Sequence, residues 1–328
     1  MTGGSAPASR TFDNAGLAAL LALTTCATAT GIDGTLPLMP AIGATFGATQ
    51  AEVQLTLTMF MLGIAIGQLV HGPLSDRFGR KPILVGGLVL NAVATAACAM
   101  AMSIEMLMVY RFIHGVAASS GWLVARAVIR DRHERGDAAR VLSVLMVFHG
   151  LSPMISSIVG AQLTVAFGWQ AMFVFLSVYA ACIAVIFCAV FRETIHVKDP
   201  NALRPAPILR NFAEVSRSPS FWAYTACAAA CYGLLFGFLA SSSHVIITYF
   251  GESETRYSYM FAGCMVGSMT GMLMGARLVG RFGVDTLLRW GVGGATLFGL
   301  LLAGLAWASV DHWLAVIGPM LFCMIAFA

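Results

Sequence analysis

Charged side chains are scarce in this 328-residue chain. Asp, Glu, Lys and Arg make up 10% of it and apolar residues 59%, whereas a soluble domain carries about 25% charged residues. A chain this apolar has too little polar surface to cover a globule in water, so the composition excludes an ordinary soluble protein. It predicts an α-helical bundle in a lipid bilayer.

Other absences exclude further classes of protein. Of the 19 basic residues only Lys81 and Lys198 are lysines, and the arginines are spread among short loops, so the net charge of +4 predicts no nucleic-acid partner. The eight cysteines lie inside apolar runs without a CxxC or metal-ligand spacing, so no metal or cofactor is predicted. No G-x-x-x-x-G-K-[ST] loop occurs, so ATP does not drive the protein. No nucleophile–base pair stands at one depth, so no catalytic residue and no enzyme is predicted.

Long apolar runs dominate what is present. Ten of them approach the roughly 20 residues that a helix needs to cross a bilayer. They lie at about 16–38, 53–73, 83–102, 106–128, 141–166, 171–191, 221–243, 257–276, 287–308 and 313–328.

The basic residues indicate the orientation of these spans. If the N-terminus is cytoplasmic, 17 Lys and Arg residues lie on the inner side and only Arg256 lies in an outer loop. Positive residues concentrate on the cytoplasmic side, so we expect a multi-pass protein of the inner (plasma) membrane with its N-terminus inside. The polar, proline-containing stretch 192–220 is predicted to be a cytoplasmic linker between a six-helix bundle at 1–191 and a second bundle at 221–328.

An internal repeat relates the two halves. A shift of 204 residues superposes seven identical residues on one helix–loop–helix, among them the pairs Gly63/Gly267 and Arg77/Arg281. Parallel repeats are a transporter architecture with the substrate site between the halves. On this repeat a complete second bundle would run to about 191 + 204 = 395, so we expect the second bundle to be incomplete and the 328-residue chain to be unstable or inactive.

The loop after the second span carries the most specific motif. It reads Gly72-Pro-Leu-Ser-Asp76-Arg77-Phe-Gly79-Arg80-Lys81. Gly79 permits a tight turn, and Asp76 lies among three cations at the predicted membrane face. Such a cluster can hold two helix ends together and release them, which predicts a cytoplasmic gate. Cations that only keep the loop inside are the alternative, but they do not explain an acid four residues before Arg80.

This loop resembles the G-x-L-a-D-r-x-G-r-k signature of the major facilitator superfamily. The run from Arg111 to Gly115 resembles the R-x-x-q-G motif of that family's proton-driven drug exporters, with His114 where Gln is usual, and residues 126–131 resemble the ending of the Bcr/CflA drug-resistance branch. The resemblance implies an all-α major facilitator fold, with two six-helix bundles related by a pseudo-two-fold axis. It also implies a charge network of Asp76, Arg80 and Asp131, with Arg130 beside it.

The fifth span departs from the family pattern. Exporters of this family usually carry a Gly-Pro pair there, but Ser156 and Ser157 occupy that place. Pro153 and Gly160 remain as predicted bending points. Because the Gly-Pro pair accompanies antiport in the family, its absence weakens the prediction of antiport but not that of family membership.

Two ionisable residues lie at membrane depth, where a charge costs about 2.5–3.5 kcal/mol on insertion scales. The repeat places Gly237 and Ala315 opposite Asp33 and Arg111, so the fold does not require these charges and a functional role is favoured. We expect Asp33 to accept the proton and Arg111 to line the cavity. The alternatives are an interfacial Asp at a helix end and an Arg that reaches the outer surface.

Weaker candidates accompany this pair. His114 shares a helix face with Arg111 and His149 lies in mid-span, although a lone His in an apolar helix is more often a packing residue. Met265, Met269 and Met272 share one face, and flexible thioethers suit a pocket that accepts many apolar shapes. Plain packing is the alternative reading of these methionines, and of Met59 and Met61.

The predicted function is proton-coupled export of drugs or other small amphipathic molecules, by a monomer that alternates access to a site between its halves. The predicted partners are lipid, protons and the substrate. The alternatives are an exporter of one antibiotic class, such as phenicols, a facilitator of a small metabolite, and a non-transporting fragment.

Overall fold

The computed structural model describes residues 9–132, 135–195, 198–310 and 312–327, and across these ranges the chain is helical without a β-strand. A π-helical turn, His244–Tyr249, follows the ninth helix. In chain order the α-helices are α1 (Ser9–Asp33), α2 (Met39–Phe46), α3 (Gln50–Phe78), α4 (Arg80–Ala99), α5 (Ile104–Arg132), α6 (Arg135–Phe167), α7 (Gln170–Val190), α8 (Pro205–Ser216), α9 (Pro219–Ser243), α10 (Glu254–Phe282), α11 (Val284–Trp307) and α12 (Leu314–Phe327).

Ten of these helices coincide with the ten predicted apolar segments. Within the described ranges, nine are long and apolar enough to cross a membrane, namely α1, α3, α4, α5, α6, α7, α9, α10 and α11. The tenth segment corresponds to α12, a shorter apolar helix of 14 residues. The stretch predicted to be a linker contains one helix, α8.

The helix boundaries repeat at the predicted offset. Helices α3 and α10 begin at residues 50 and 254 and end at 78 and 282, and 254 − 50 = 204. Each begins after a hydroxyl N-cap, Thr49 or Ser253, whose side chain accepts a backbone N–H in the first turn. Each ends at a glycine with positive φ, +115° at Gly79 and +78° at Gly283, a region that residues with a Cβ rarely adopt.

Close glycine contacts pair the long helices within each half. A Cβ at Gly63 would collide with the carbonyl of Phe112 where α3 crosses α5, and one at Gly271 would collide with the carbonyl of Ile325 where α10 crosses α12. Small residues permit this approach, which is how helices pack when lipid supplies no hydrophobic driving force between them.

Among the described residues, buried apolar packing joins the two halves at one end. We call the end where α1 stops the Gly34 end, and the end where α3 gives way to α4 the Gly79 end. At the Gly34 end one buried apolar cluster combines Leu57 and Met172 of the first half with Phe238 and Phe261 of the second. At the Gly79 end the buried cluster among the described residues draws its members from the first half alone. A space between the halves therefore widens towards the Gly79 end.

The serines that replace the family's Gly-Pro pair take part in this junction. Ser258 on α10 donates a 3.0 Å hydrogen bond to the carbonyl of Ser157 on α6. Gly160, one of the two predicted bending points, is a contact point, because a Cβ there would collide with the carbonyl of Gly34. The substituted stretch thus carries direct contacts of α6 with α1 and α10.

Candidate functional site

A cavity of about 950 Å³ lies between the two halves. Its size falls within the range of ligand pockets for drug-sized molecules, about 300–1,000 Å³. The first half contributes residues of α1, α3, α5 and α6, and the second half contributes residues of α9, α10 and α11. Of the residues singled out from the sequence, the lining includes Asp33, His149, Pro153, Met61, Met265, Met269 and Met272.

Asp33 is the last residue of α1 and is only 7% exposed. It lines the cavity, and within the part of the chain that is described its carboxylate forms no ion pair. A buried carboxylate without an ion-pair partner is costly in its charged form.

Arg111 lies behind the residues that line the cavity and is not one of them. It is 2% exposed and is absent from the lining of the cavity. Its guanidinium donates to the carbonyl of Gly31 at 2.9 Å and to Oγ1 of Thr35 at 3.3 Å, and its Cζ lies 4.2 Å from the centre of the Phe60 ring. This placement differs from the one expected, since Arg111 neither faces the cavity nor reaches the outer surface. It holds the end of α1, next to Asp33.

His114 supports Arg111 from the same helix. It is fully buried, and its Nδ1 lies 3.2 Å from Nη1 of Arg111. A guanidinium can only donate, so Nδ1 accepts and the imidazole is neutral with its proton on Nε2. Nε2 has no partner among the described residues. His114 therefore packs within the helix bundle, whereas His149 borders the cavity.

A stack of three side chains on the cavity wall was missed in the sequence. The Cζ of Arg126 lies 4.4 Å from the centre of the Trp122 ring, which lies 4.8 Å from the ring of His149. Trp122, Arg126 and His149 all line the cavity. In the sequence analysis Arg126 entered only as one of the 17 basic residues on the inner side. The signal was present, because Ser119, Trp122 and Arg126 stand at i, i+3 and i+7 on one face of α5.

The predicted charge network assembles at the Gly79 end. Nε of Arg80 donates to Oδ2 of Asp131 at 2.9 Å, and Nη1 donates to Oδ1 of Asp76 at 2.5 Å. Arg80 is 7% exposed, and Nη1 also bonds Oγ of Ser75 at 2.7 Å. One buried guanidinium thus links the end of α3, the start of α4 and the end of α5.

Glu193, just beyond α7, completes the network and was not found in the sequence. Its carboxylate accepts the backbone N–H groups of Arg80 at 2.9 Å and Lys81 at 3.1 Å, at the start of α4. It also accepts those of the two residues that follow it. Burial alone would raise its pKa, but these four donors outweigh it and hold the pKa of Glu193 below its usual value. The turn requires glycine at position 79 for two reasons: the backbone φ is positive, and a Cβ there would collide with the carboxylate of Glu193.

The other predicted gate residues lie at the same end with separate partners. Arg77 donates to the carbonyl of Pro200 at 3.3 Å, and Nζ of Lys81 donates to the carbonyl of Cys188 at 2.9 Å. Arg130 is exposed and, as far as the chain is described, outside the hydrogen bonds of Arg80. Gly72 has open space where a Cβ would stand, so packing does not demand glycine there.

Comparison with known proteins identifies the architecture. The sequence profile of the major facilitator superfamily matches residues 21–328. The chain belongs to the major facilitator superfamily. The family predicted from the loop motif is therefore confirmed, and the chain is a multi-span membrane transporter rather than an enzyme.

Relatives within the family include drug-resistance proteins. The chain is 28% identical over 292 residues to a bicyclomycin resistance protein homolog of Haemophilus influenzae, which covers 89% of this chain and 73% of that protein. It is 30% identical over 292 residues to a chloramphenicol resistance protein of Pseudomonas aeruginosa. That match covers 88% of this chain and 68% of that protein. These relatives support the drug:proton antiporter branch of the family.

Solved structures support the fold alone, since their sequences are distant. A bacterial homolog of the human lysosomal transporter Spinster, inward-facing and unoccupied, has a TM-score of 0.71 at 19% identity, covering 99% of this chain and 74% of that one. The xylose transporter XylE of E. coli, partially occluded and inward-open, has a TM-score of 0.71 at 15% identity, covering 96% and 84%.

Proposed function

We propose that this chain exports small amphipathic molecules across the inner membrane in exchange for protons. The observation that carries the proposal is the cavity of about 950 Å³ between the two halves, with the buried Asp33 in its lining, whose carboxylate forms no ion pair among the described residues. Relatives named for resistance to bicyclomycin and chloramphenicol support such antibiotics as substrates.

Alternating access follows from the uneven packing of the halves. The bundle at 1–191 and the bundle at 221–328, joined by the linker 192–220, would rock about the cavity between them. Packing at the Gly34 end closes the cavity there, and its opening towards the Gly79 end would admit substrate from the cytoplasm.

Asp33 is the proposed proton site. It borders the space that the substrate occupies and lies next to the segment that Arg111 holds through Gly31 and Thr35. Movement of α1 between the two states would carry the carboxylate from one solution to the other, so proton binding and the direction of access are linked. Arg111 acts in this scheme as a positioning residue.

The gate would set the barrier on the inner side. The bonds of Arg80 to Asp76 and Asp131, together with Glu193, fix the ends of four helices as one unit. Such a unit can move as a block when the inner side closes. The excess of basic residues at this end supports a cytoplasmic N-terminus, and we propose that the transporter is a monomer.

A narrower specificity, for a phenicol-type antibiotic, is the second candidate. The relative named for chloramphenicol resistance favours it. The methionine-rich wall formed by Met265, Met269 and Met272 favours broad specificity instead, because thioethers adapt to many shapes.

Everted membrane vesicles test the function. Vesicles that contain the protein are energised to be acidic inside, and uptake of radiolabelled chloramphenicol is followed with and without a protonophore. We expect uptake that the protonophore abolishes, and proton release when the substrate is added. Uptake equal to that of vesicles without the protein, for chloramphenicol and for a panel of amphipathic dyes, would contradict the proposal.

A further inference from the structure

The cavity carries its two charged residues at separate levels. Thr28 on α1 donates a 2.8 Å hydrogen bond to the carbonyl of Ala118 on α5, which places these two residues at one depth on antiparallel helices. Asp33 lies five residues beyond Thr28 towards the Gly34 end, and Arg126 lies eight residues beyond Ala118 towards the Gly79 end. At 1.5 Å per helical residue the backbones of Asp33 and Arg126 are about 20 Å apart along the bundle, and the guanidinium of Arg126 reaches back over Trp122, one turn nearer Asp33.

Arg126 is held in place but keeps its hydrogen-bonding capacity. Its guanidinium lies over the ring of Trp122, and Trp122 packs against His149. Stacking uses the face of a guanidinium and leaves its in-plane N–H donors available. Among the described residues none of these donors meets an acceptor, although Arg126 borders the cavity. Nδ1 of His149 is also buried without a partner in that part of the chain.

We infer that Arg126, Trp122 and His149 form a binding subsite for an acidic group on an aromatic substrate, so that the transported molecules include monoanionic aromatic compounds. The inference rests on the proposed function. A carboxylate matches the planar fork of a guanidinium with two parallel hydrogen bonds. Across the cavity, Tyr224 and Met272 offer an apolar surface for the ring.

The separation of the charges fixes how such a substrate relates to the proton. A ligand as short as one naphthalene ring system that binds at Arg126 does not reach Asp33, so the anion and the proton occupy different groups. A cationic ligand near Arg126 meets repulsion there. Arg126 therefore discriminates between substrates by their charge, and Asp33 binds the proton.

Three probes with one ring system test the subsite. Binding of 2-naphthoate, 2-naphthylmethanol and 2-naphthylmethyl-trimethylammonium is measured by titration calorimetry on the purified chain in nanodiscs of phosphatidylcholine. We expect the anion to bind most tightly and the cation most weakly. In Arg126→Gln we expect the affinity for naphthoate to fall at least tenfold while that for naphthylmethanol stays within twofold, which also shows that the variant is folded.

Matched variants separate the explanations. Arg130→Gln removes an exposed cation from the same helix and should leave the affinity for naphthoate unchanged. Equal naphthoate affinity in wild type and Arg126→Gln, or tighter binding of the cation than of the anion, would overturn the subsite.

The outcome is independent of transport. Naphthoate binding that depends on Arg126, in a protein without proton-coupled uptake, would uphold the subsite and refute the proposed function. Proton-coupled export together with a binding order that Arg126→Gln does not change would do the reverse.

Discussion

Replacing Arg111 separates the role of its charge from that of its shape. At the end of α1 the guanidinium reaches two acceptors at once, the carbonyl of Gly31 and the hydroxyl of Thr35. It also donates to Nδ1 of His114 on its own helix and lies over the ring of Phe60. Lysine keeps the positive charge but has no planar fork, so it can reach only one of the two acceptors well. Alanine removes both the charge and the planar fork.

The expected magnitudes follow from these contacts. A hydrogen bond from a charged donor contributes about 1.5–3 kcal/mol, and a buried cation–π contact about 2 kcal/mol. Arg111→Lys should therefore lower the free energy of unfolding by about 2 kcal/mol. Arg111→Ala should lower it by about 4 kcal/mol, because it also leaves buried acceptors unpaired. Since the end of α1 then loses its anchor beside Asp33, we expect even Arg111→Lys to slow export at least tenfold.

The assay compares unfolding in mixed micelles with export from energised vesicles. Arg130 provides the control, as an exposed arginine on the same helix, and its Lys and Ala variants should change stability by no more than about 0.5 kcal/mol. If the Arg111 variants were no less stable than the Arg130 variants and exported normally, the anchoring role would be refuted.

Three further predictions concern the gate and the topology. Glu193→Gln should destabilise the protein at neutral pH relative to Glu214→Gln on α8. Because the pKa of Glu193 is lowered in the folded state, the difference in stability should be present above about pH 4.3, the ordinary glutamate pKa, and vanish as the pH falls through the lowered pKa. Unfolding measurements in which the difference does not vanish at low pH would contradict this prediction. Asp76→Asn should reduce export more than tenfold while substrate binding stays within twofold, because Arg80 loses one of its two carboxylates; equal losses of binding and export would indicate misfolding instead. In a cysteine-free background, an impermeant maleimide added to intact cells should label a cysteine at Ser253 and not one at Ser218, and the opposite pattern would invert the topology.

Local patterns predicted much of the fold. Hydropathy located ten helices, because a bilayer demands long apolar runs, and the glycines at 79 and 283 marked the repeated turn. The bond of Arg80 to Asp76 was predictable because both residues lie in one motif. These features depend on residues close together in the chain.

Apart from the contact of Arg80 with Asp131, which the family resemblance implied, the features that depend on distant contacts escaped prediction. Glu193 lies more than a hundred residues from the N–H groups that it accepts, and an acid after an apolar run has no distinguishing pattern of its own. The sequence placed Arg111 at the right depth but could not give the rotation of α5, which turns it towards the end of α1. The stack of Trp122 on His149 joins α5 to α6 and needed the packing of both helices.

Transport by an Asp33→Asn variant tests the central claim most directly. The substitution keeps the size of the side chain and removes its titratable group, in a residue that forms no ion pair in the described part of the chain. Everted vesicles that contain the wild type or the variant are compared for substrate uptake driven by an imposed pH gradient and for equilibrium exchange of labelled substrate without a gradient. We expect the variant to lose gradient-driven uptake and to retain exchange. Uptake by Asp33→Asn that follows the pH gradient as the wild type does would show that the proton is carried elsewhere.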